Sequence, residues 1–178
     1  DVIAPEIEPE LRQLVYKSMG QYIQAAFSEN ILATGYRLVI AATDNTAVNK
    51  SVFEQCEARN ILVNSVDDIP NCRFMVPAII DRSPLVISVA SNGASPVLSR
   101  QLRTQIETIV PHGMGKLAEF SGLWRKQVKE KISNPDERRI FWENLYASPL
   151  KEQVFNDNLD VANDLIQQAL TEWTAPKG

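Results

Sequence analysis

Apolar and polar positions along this chain fall into two textures. Arg37–Thr43 (RLVIAAT) is a continuous apolar run with β-branched residues, the pattern of a strand covered on both faces in a parallel sheet. Asp44 or Asn45 then caps a predicted helix running to about Arg59, with Val48, Val52, Phe53 and Cys56 on one stripe. Ile61–Asn64 is the next strand. Strand, helix and strand with short joins predict a βαβ unit with a right-handed crossover. Upstream, Asp1–Ala4 reads as the second half of a strand and Pro5-Glu6 as its turn. This abrupt opening suggests that a segment precedes it. Leu11, Leu14 and Val15 mark a short helix over Glu10–Lys17, Gln21–Phe27 a short strand, and Ser28 the cap of a brief turn ending at Gly35.

The texture changes after Pro77. Leu85–Ser91 is a strand with no helix before it. Ser95-Pro96 places Ser at the cap and Pro at the first position of a helix whose apolar stripe is Leu98, Leu102, Ile106 and Ile109. Pro111 and Gly113 break that helix. The rest reads as four helices: Leu117–Ile132, one capped by Asn134 with Glu137 three residues on, one opened by Ser148-Pro149, and Leu159–Trp173.

Composition narrows the function classes. With 44% hydrophobic and 22% charged residues the chain is an ordinary soluble globular protein, and a net charge of −4 argues against nucleic acid as a partner. No apolar run approaches the roughly 20 residues of a membrane helix, so no membrane association is expected. No signal peptide opens the chain. Cys56 and Cys72 make no disulfide framework, which points to a reducing cytoplasm. With the single His112 they also make a poor zinc site, so no metal ligand is assigned.

The candidate chemistry gathers in residues 60–103. Asp67 follows the carboxyl end of a strand, where open α/β sheets place catalytic groups. Asp67 and Asp68 should point opposite ways, so one at most faces a cleft; the alternative is two solvated turn aspartates. Ser91-Asn92-Gly93 precedes a helix N-terminus, which attracts carboxylate or phosphate; the alternative is a plain strand-to-helix turn. Arg125, Lys126, Lys129 and Lys131 read as a solvated helix face. Trp124, Phe141, Trp142 and Trp173 read as core of the helical part. No GxGxxG occurs in the chain.

Val2-Ile3-Ala4-Pro5-Glu6, VIAATDN (Val39–Asn45), residues 64–103 (NSVDDIPNCRFMVPAIIDRSPLVISVASNGASPVLSRQLR) and DERRIFWE (Asp136–Glu143) resemble the dehydrogenase/ferrochelatase half of siroheme synthases. The resemblance covers essentially the whole chain. It implies an α/β fold: a Rossmann-like parallel sheet over 1–76 without its first βα unit, a strand-helix dimerisation segment over 77–110, and a helical domain over 111–178. It also implies NAD-dependent oxidation of precorrin-2 to sirohydrochlorin, Fe2+ taken as a substrate, and siroheme as product. The assembly would be a homodimer, and a uroporphyrinogen-III methyltransferase would follow the junction at Thr174–Gly178.

The same resemblance makes Asp67 the essential carboxylate and puts Pro5 and Glu6 against the NAD adenosine ribose, with Thr43 and Asn64 at the same crevice. Ser91, which matches a serine phosphorylated in the family, would meet the substrate with Asn92, Gly93 and Arg100; Arg103 lies on the same helix as Arg100. Two other readings remain open at this level: an unrelated Rossmann oxidoreductase with a small substrate, and a non-catalytic dimeric NAD-binding module.

Overall fold

The structure is a computed structural model that describes residues 1–33 and 35–175. It divides into two compact units, the first Asp1–Val76 and the second starting at Pro77. The expected junction includes residues 176–178, which lie outside the described residues.

In the first unit, β1 (Val2–Ala4) leads through α1 (Pro9–Lys17) to β2 (Tyr22–Gln24), and the two strands pair in parallel. A short 3-10 helix, Glu29–Ala33, follows Ser28. Then β3 (Leu38–Ala41), α2 (Thr46–Ala58) and β4 (Leu62–Ser65) form the expected parallel βαβ unit, with Val39 opposite Val63 and Ala41 opposite Ser65. Asn45 caps α2: its side-chain oxygen accepts from Ala47 N–H at 3.0 Å and from Val48 N–H at 3.2 Å. The core here joins Leu32, Ala41, Val52, Cys56, Ile61 and Val63, with Val48 and Phe53 packed against it. Burial pushes the Cys56 thiol pKa up, so it sits there as a neutral apolar group.

The expectation that β3 is covered on both faces is not met. Leu38 and Ile40 are 50% and 53% exposed, and Leu62 beside them is exposed too. Alternation along a strand sends Ala41 toward α2 and its neighbours to the other side, and that side is open. Among the described residues β1 pairs only with β2, and β3 only with β4. Residues 1–4 and 38–43 border a cleft of about 640 Å3.

The second unit opens with an antiparallel hairpin, β5 (Ala78–Arg82) and β6 (Leu85–Val89), in which Ile80 faces Ile87. Strand β5 has no counterpart in the sequence reading. α3 (Pro96–Ile109) packs on both strands. Four further helices follow: α4 (Gly113–Lys131), α5 (Pro135–Ala147), α6 (Leu150–Phe155) and α7 (Leu159–Thr174). Their core joins Leu117, Phe120, Val128, Phe141, Leu150 and Ile166, with Trp124, Trp142 and Trp173 packed against it, as expected of the aromatic residues. Asn134 caps α5 through Asp136 N–H at 2.8 Å.

α3 ends at Ile109, so the expected break at Pro111 and Gly113 is found, but α4 begins at Gly113 and not at Leu117 as expected. The small size of Gly113 has a packing reason. A Cβ on Gly113 would stand 2.5 Å from Phe155 Cδ1, and one on Gly115 would stand 2.4 Å from the Arg82 carbonyl oxygen. The apolar stripe of α3 is not buried in this chain, since Ile109 is 74% exposed and Leu98 and Leu102 are exposed as well.

Candidate functional site

The carboxyl ends of β3 and β4 meet in a pocket of about 380 Å3, lined by Thr43, Asp44, Asn49, Asp67 and Asp68 among others. Two expected residues, Thr43 and Asp67, are thus brought together. Asp67 is in the left-handed backbone region, φ 60°, directly after Val66, whose N–H donates to the Ala41 carbonyl at 2.9 Å. That bond extends the β3–β4 ladder by one rung and fixes where the loop leaves the sheet.

The loop is tied down on its far side by Cys72. Its Sγ accepts from Ser65 N–H at 3.2 Å and lies 3.1 Å from the Ser65 carbonyl. Asp68 is engaged with Asn71, whose amide donates to Asp68 Oδ2 at 2.7 Å. Asp67 has no such side-chain partner among the described residues. The two neighbouring aspartates therefore differ: one is fastened within the loop and the other is free on the pocket wall.

Asn49 is the residue that sequence reasoning missed. It is buried on α2, and its Oδ1 accepts from the Thr43 hydroxyl at 2.7 Å and from Thr43 N–H at 3.2 Å. Its Nδ2 donates to the Thr43 carbonyl at 2.9 Å. One side chain thus satisfies three Thr43 groups and sets the hydroxyl at the pocket. The available signal was a second Asn one turn after the capping Asn45, beside Val48 and Val52 on the helix.

The remaining expected residues stand elsewhere. Asn64 is buried, and its amide donates to the Phe74 carbonyl at 2.9 Å, a bond that fastens the following loop. Pro5 and Glu6 leave the end of β1 exposed, with the Pro5 carbonyl accepting from the Tyr22 hydroxyl at 3.2 Å. Ser91, Asn92, Gly93 and Arg100 belong to the second unit. Ser91 Oγ accepts from Ser95 N–H at 3.0 Å, while Ser95 itself makes no side-chain cap. Asn92 and Gly93 have φ of 51° and 81°, which shapes the turn before α3. Arg100 is exposed, whereas Arg103 donates to the Ile79 carbonyl at 3.0 Å and pairs with Glu107 at 2.7 Å. No group of three or more metal-ligating side chains occurs among the described residues.

Residues 1–78 match a family described as NAD(P)-binding, and residues 113–170 match the sirohaem synthase dimerisation region. The chain is 74% identical over all 178 residues to a siroheme synthase of Acinetobacter baylyi, of which it covers 39%. The chain belongs to the siroheme synthase family. A siroheme synthase of Methylobacillus flagellatus is 42% identical over 170 residues, 96% of this chain and 36% of that protein. The chain therefore spans a little under two fifths of the length of these siroheme synthases. Among solved structures, SirC, precorrin-2 dehydrogenase, matches with a TM-score of 0.68 at 20% identity, over 94% of this chain and 80% of that one. At that identity the likeness is one of fold, and it agrees with an α/β, Rossmann-like first unit followed by helices. No helix among the described residues is long and apolar enough to cross a membrane.

Proposed function

We propose that this siroheme synthase segment carries the dehydrogenase and ferrochelatase steps: NAD-dependent oxidation of precorrin-2 to sirohydrochlorin, then insertion of Fe2+ to give siroheme. The observation that carries the reading is the pocket at the ends of β3 and β4, where Asp67 stands free of side-chain partners beside a fixed Thr43 hydroxyl. Both steps release protons. Oxidation removes a hydride and a proton, and metal insertion displaces two pyrrole N–H protons. A single carboxylate at Asp67 can accept a proton in each. Fe2+ is a substrate in this scheme.

The residues present fit part of a dinucleotide. NAD, when bound, supplies the hydride acceptor. Glu6, exposed after β1, is placed as an acid that accepts from ribose hydroxyls, which favours NAD over its 2′-phosphorylated form. Thr43 supplies a hydroxyl whose direction is set by Asn49. The Gly-rich turn that cradles a pyrophosphate is not among these residues. The cleft between β1 and β3 is bordered on both sides by strand backbone, and we assign it to a further parallel strand that delivers that turn. In the second unit, Ser91, Asn92, Gly93 and Arg100 are assigned to substrate carboxylates: the first three by backbone N–H groups near the start of α3, Arg100 by its charge. The rest of the longer protein is assigned to a uroporphyrinogen-III methyltransferase.

Full-length protein given precorrin-2 and NAD+ is expected to form NADH and the sirohydrochlorin spectrum in equal amounts. A protein that folds, binds NAD+ and changes neither spectrum would overturn the reading.

The assembly follows from exposed apolar surface. Ile79 and Val86 on the hairpin and Val97, Leu98, Leu102 and Ile109 on α3 are all exposed in one chain. We place a homodimer interface on residues 77–110, adjoining the matched dimerisation region that begins at Gly113. Light scattering of the full-length protein at micromolar concentration should give the mass of two chains, and Leu102→Asp should shift it toward one. A monomeric wild type refutes this interface.

A further inference from the structure

The basic run on α4 divides between two environments. Arg125 and Lys129, with Arg138 and Arg139 from α5, line a groove of about 760 Å3 between the two helices, whereas Lys126 and Lys131 lie outside its lining. One acid, Glu143, stands against the four lining cations, and it is already paired with Arg139 at 2.8 Å. The chain as a whole is acidic, at −4, so this concentration of positive charge is local.

The four cations are not in equivalent states. Arg138 is anchored, its guanidinium donating to the Ile132 carbonyl at 2.8 Å and to the Ser133 carbonyl at 2.6 Å. Arg125 and Lys129 have no side-chain hydrogen bond or ion pair among the described residues. They stand one turn apart on one helix, a spacing at which like charges repel. An anion between them would relieve that repulsion through charge-assisted hydrogen bonds.

The groove is uneven along its length. Residues 132–134 join the two helices at one end, and the Tyr146 hydroxyl bonds to Ser121 Oγ at 3.0 Å near the other. Lys129, Arg138 and Arg139 lie toward the joined end. Ala118, Ser121, Gly122 and Tyr146 make the far end uncharged, and a Cβ built on Gly122 would meet nothing within 4 Å. Trp142 and Tyr146 stack with centroids 5.7 Å apart and planes 28° from parallel. Phe141, buried in the core, meets Trp142 edge-on at 5.7 Å and holds its ring in place. The Trp142 indole N–H has no hydrogen-bond partner among the described residues. One end thus concentrates positive charge, and the other sets a flat aromatic surface beside small uncharged residues.

We propose that the α4–α5 groove binds a nucleoside triphosphate, with its phosphates among the four cations and its base against Trp142 and Tyr146. Guanidinium forks and an ammonium group suit phosphate oxygens, and every base has a π face to set on an aromatic ring. The volume lies within the usual range of small-molecule sites. The inference stands on the groove alone, so failure of the dehydrogenase reading, seen in NADH formation, would leave it intact.

The test is calorimetric titration of the full-length protein with ATP under saturating NAD+, which keeps ATP off any dinucleotide site. Saturable ATP binding is expected to persist there. Arg125→Ala/Lys129→Ala should weaken it about tenfold or more, as loss of two phosphate-binding cations does. Lys126→Ala/Lys131→Ala removes the same charge from the same helix outside the groove lining and should change it less than about twofold. Tripolyphosphate, which has the charge without the base, should bind about tenfold more weakly than ATP. Trp142→Leu should cost ATP about tenfold and leave tripolyphosphate binding unchanged, a split that general damage to the fold would not produce. No saturable ATP binding under NAD+, equal losses in the two double variants, or tripolyphosphate or polyglutamate binding as tightly as ATP would each overturn the proposal.

Discussion

Asp67→Asn in the full-length protein is expected to lower both NADH formation and iron insertion by about 10²–10⁴, the usual cost of losing a general base. The substitution is well suited to the position. Asp67 has φ 60°, and Asn tolerates the left-handed region at least as readily, so the backbone should not move. The shape and hydrogen-bonding capacity stay, while proton acceptance at neutral pH is lost. Asp68→Asn provides the contrast. Its carboxylate is held by Asn71 inside the loop, so either reaction should fall only a few-fold. Rates of both reactions on both variants separate the outcomes. Near-normal turnover in Asp67→Asn, or greater damage in Asp68→Asn, would remove Asp67 from the catalytic role. Collapse of only one reaction would refute a shared base but keep the site.

Gly115→Ala should be the most damaging single methyl group in the second unit. The new Cβ would stand 2.4 Å from the Arg82 carbonyl oxygen and 2.6 Å from that of Ser83. Both obstacles are backbone, so no rotamer change relieves them. α4 must separate from the end of β5. Overpacking of this kind costs about 1–3 kcal/mol, which for a unit of this size lowers Tm by roughly 5–20 °C. The Arg82 side chain makes the joint less tolerant: it is buried, and its Nε donates to the Val110 carbonyl at 3.2 Å. Gly122→Ala, on the same helix with nothing within 4 Å of its Cβ, should instead raise Tm slightly through helix propensity. Thermal unfolding of the two variants checks both signs, and equal shifts would show that the contact at Gly115 is not what decides.

Much of the first unit is legible in the chain because its signals are local. The run before Asn45, the stripe on α2 and the short apolar run of β4 each identify their own element, and the strand-end rule then puts Thr43 and Asp67 in one place. Asn49 is illegible by the same logic. A polar residue on a helix looks like a solvated one until its three bonds to Thr43 are seen. Strand β5 was missed for a related reason. Arg82 is buried and Ile79 is exposed, so the alternation reads backwards for a strand with its apolar face inward. The start of α4 was read too late, at Leu117, because composition registers the freedom of Gly113 and not the Phe155 ring that needs the room. The α3 stripe was read correctly as apolar, but periodicity cannot say whether the surface that covers it comes from the same chain.

The open cleft between β1 and β3 bears on how these residues behave when separated from the rest of the protein. Unsatisfied strand edges are templates, and they do not discriminate between an intended neighbour and another copy of themselves. With Leu38 and Ile40 exposed alongside, the surface combines free backbone donors and acceptors with aliphatic side chains. During synthesis, or after proteolysis, such an edge invites intermolecular sheet growth and aggregation, and the further strand proposed for the cleft would protect against it.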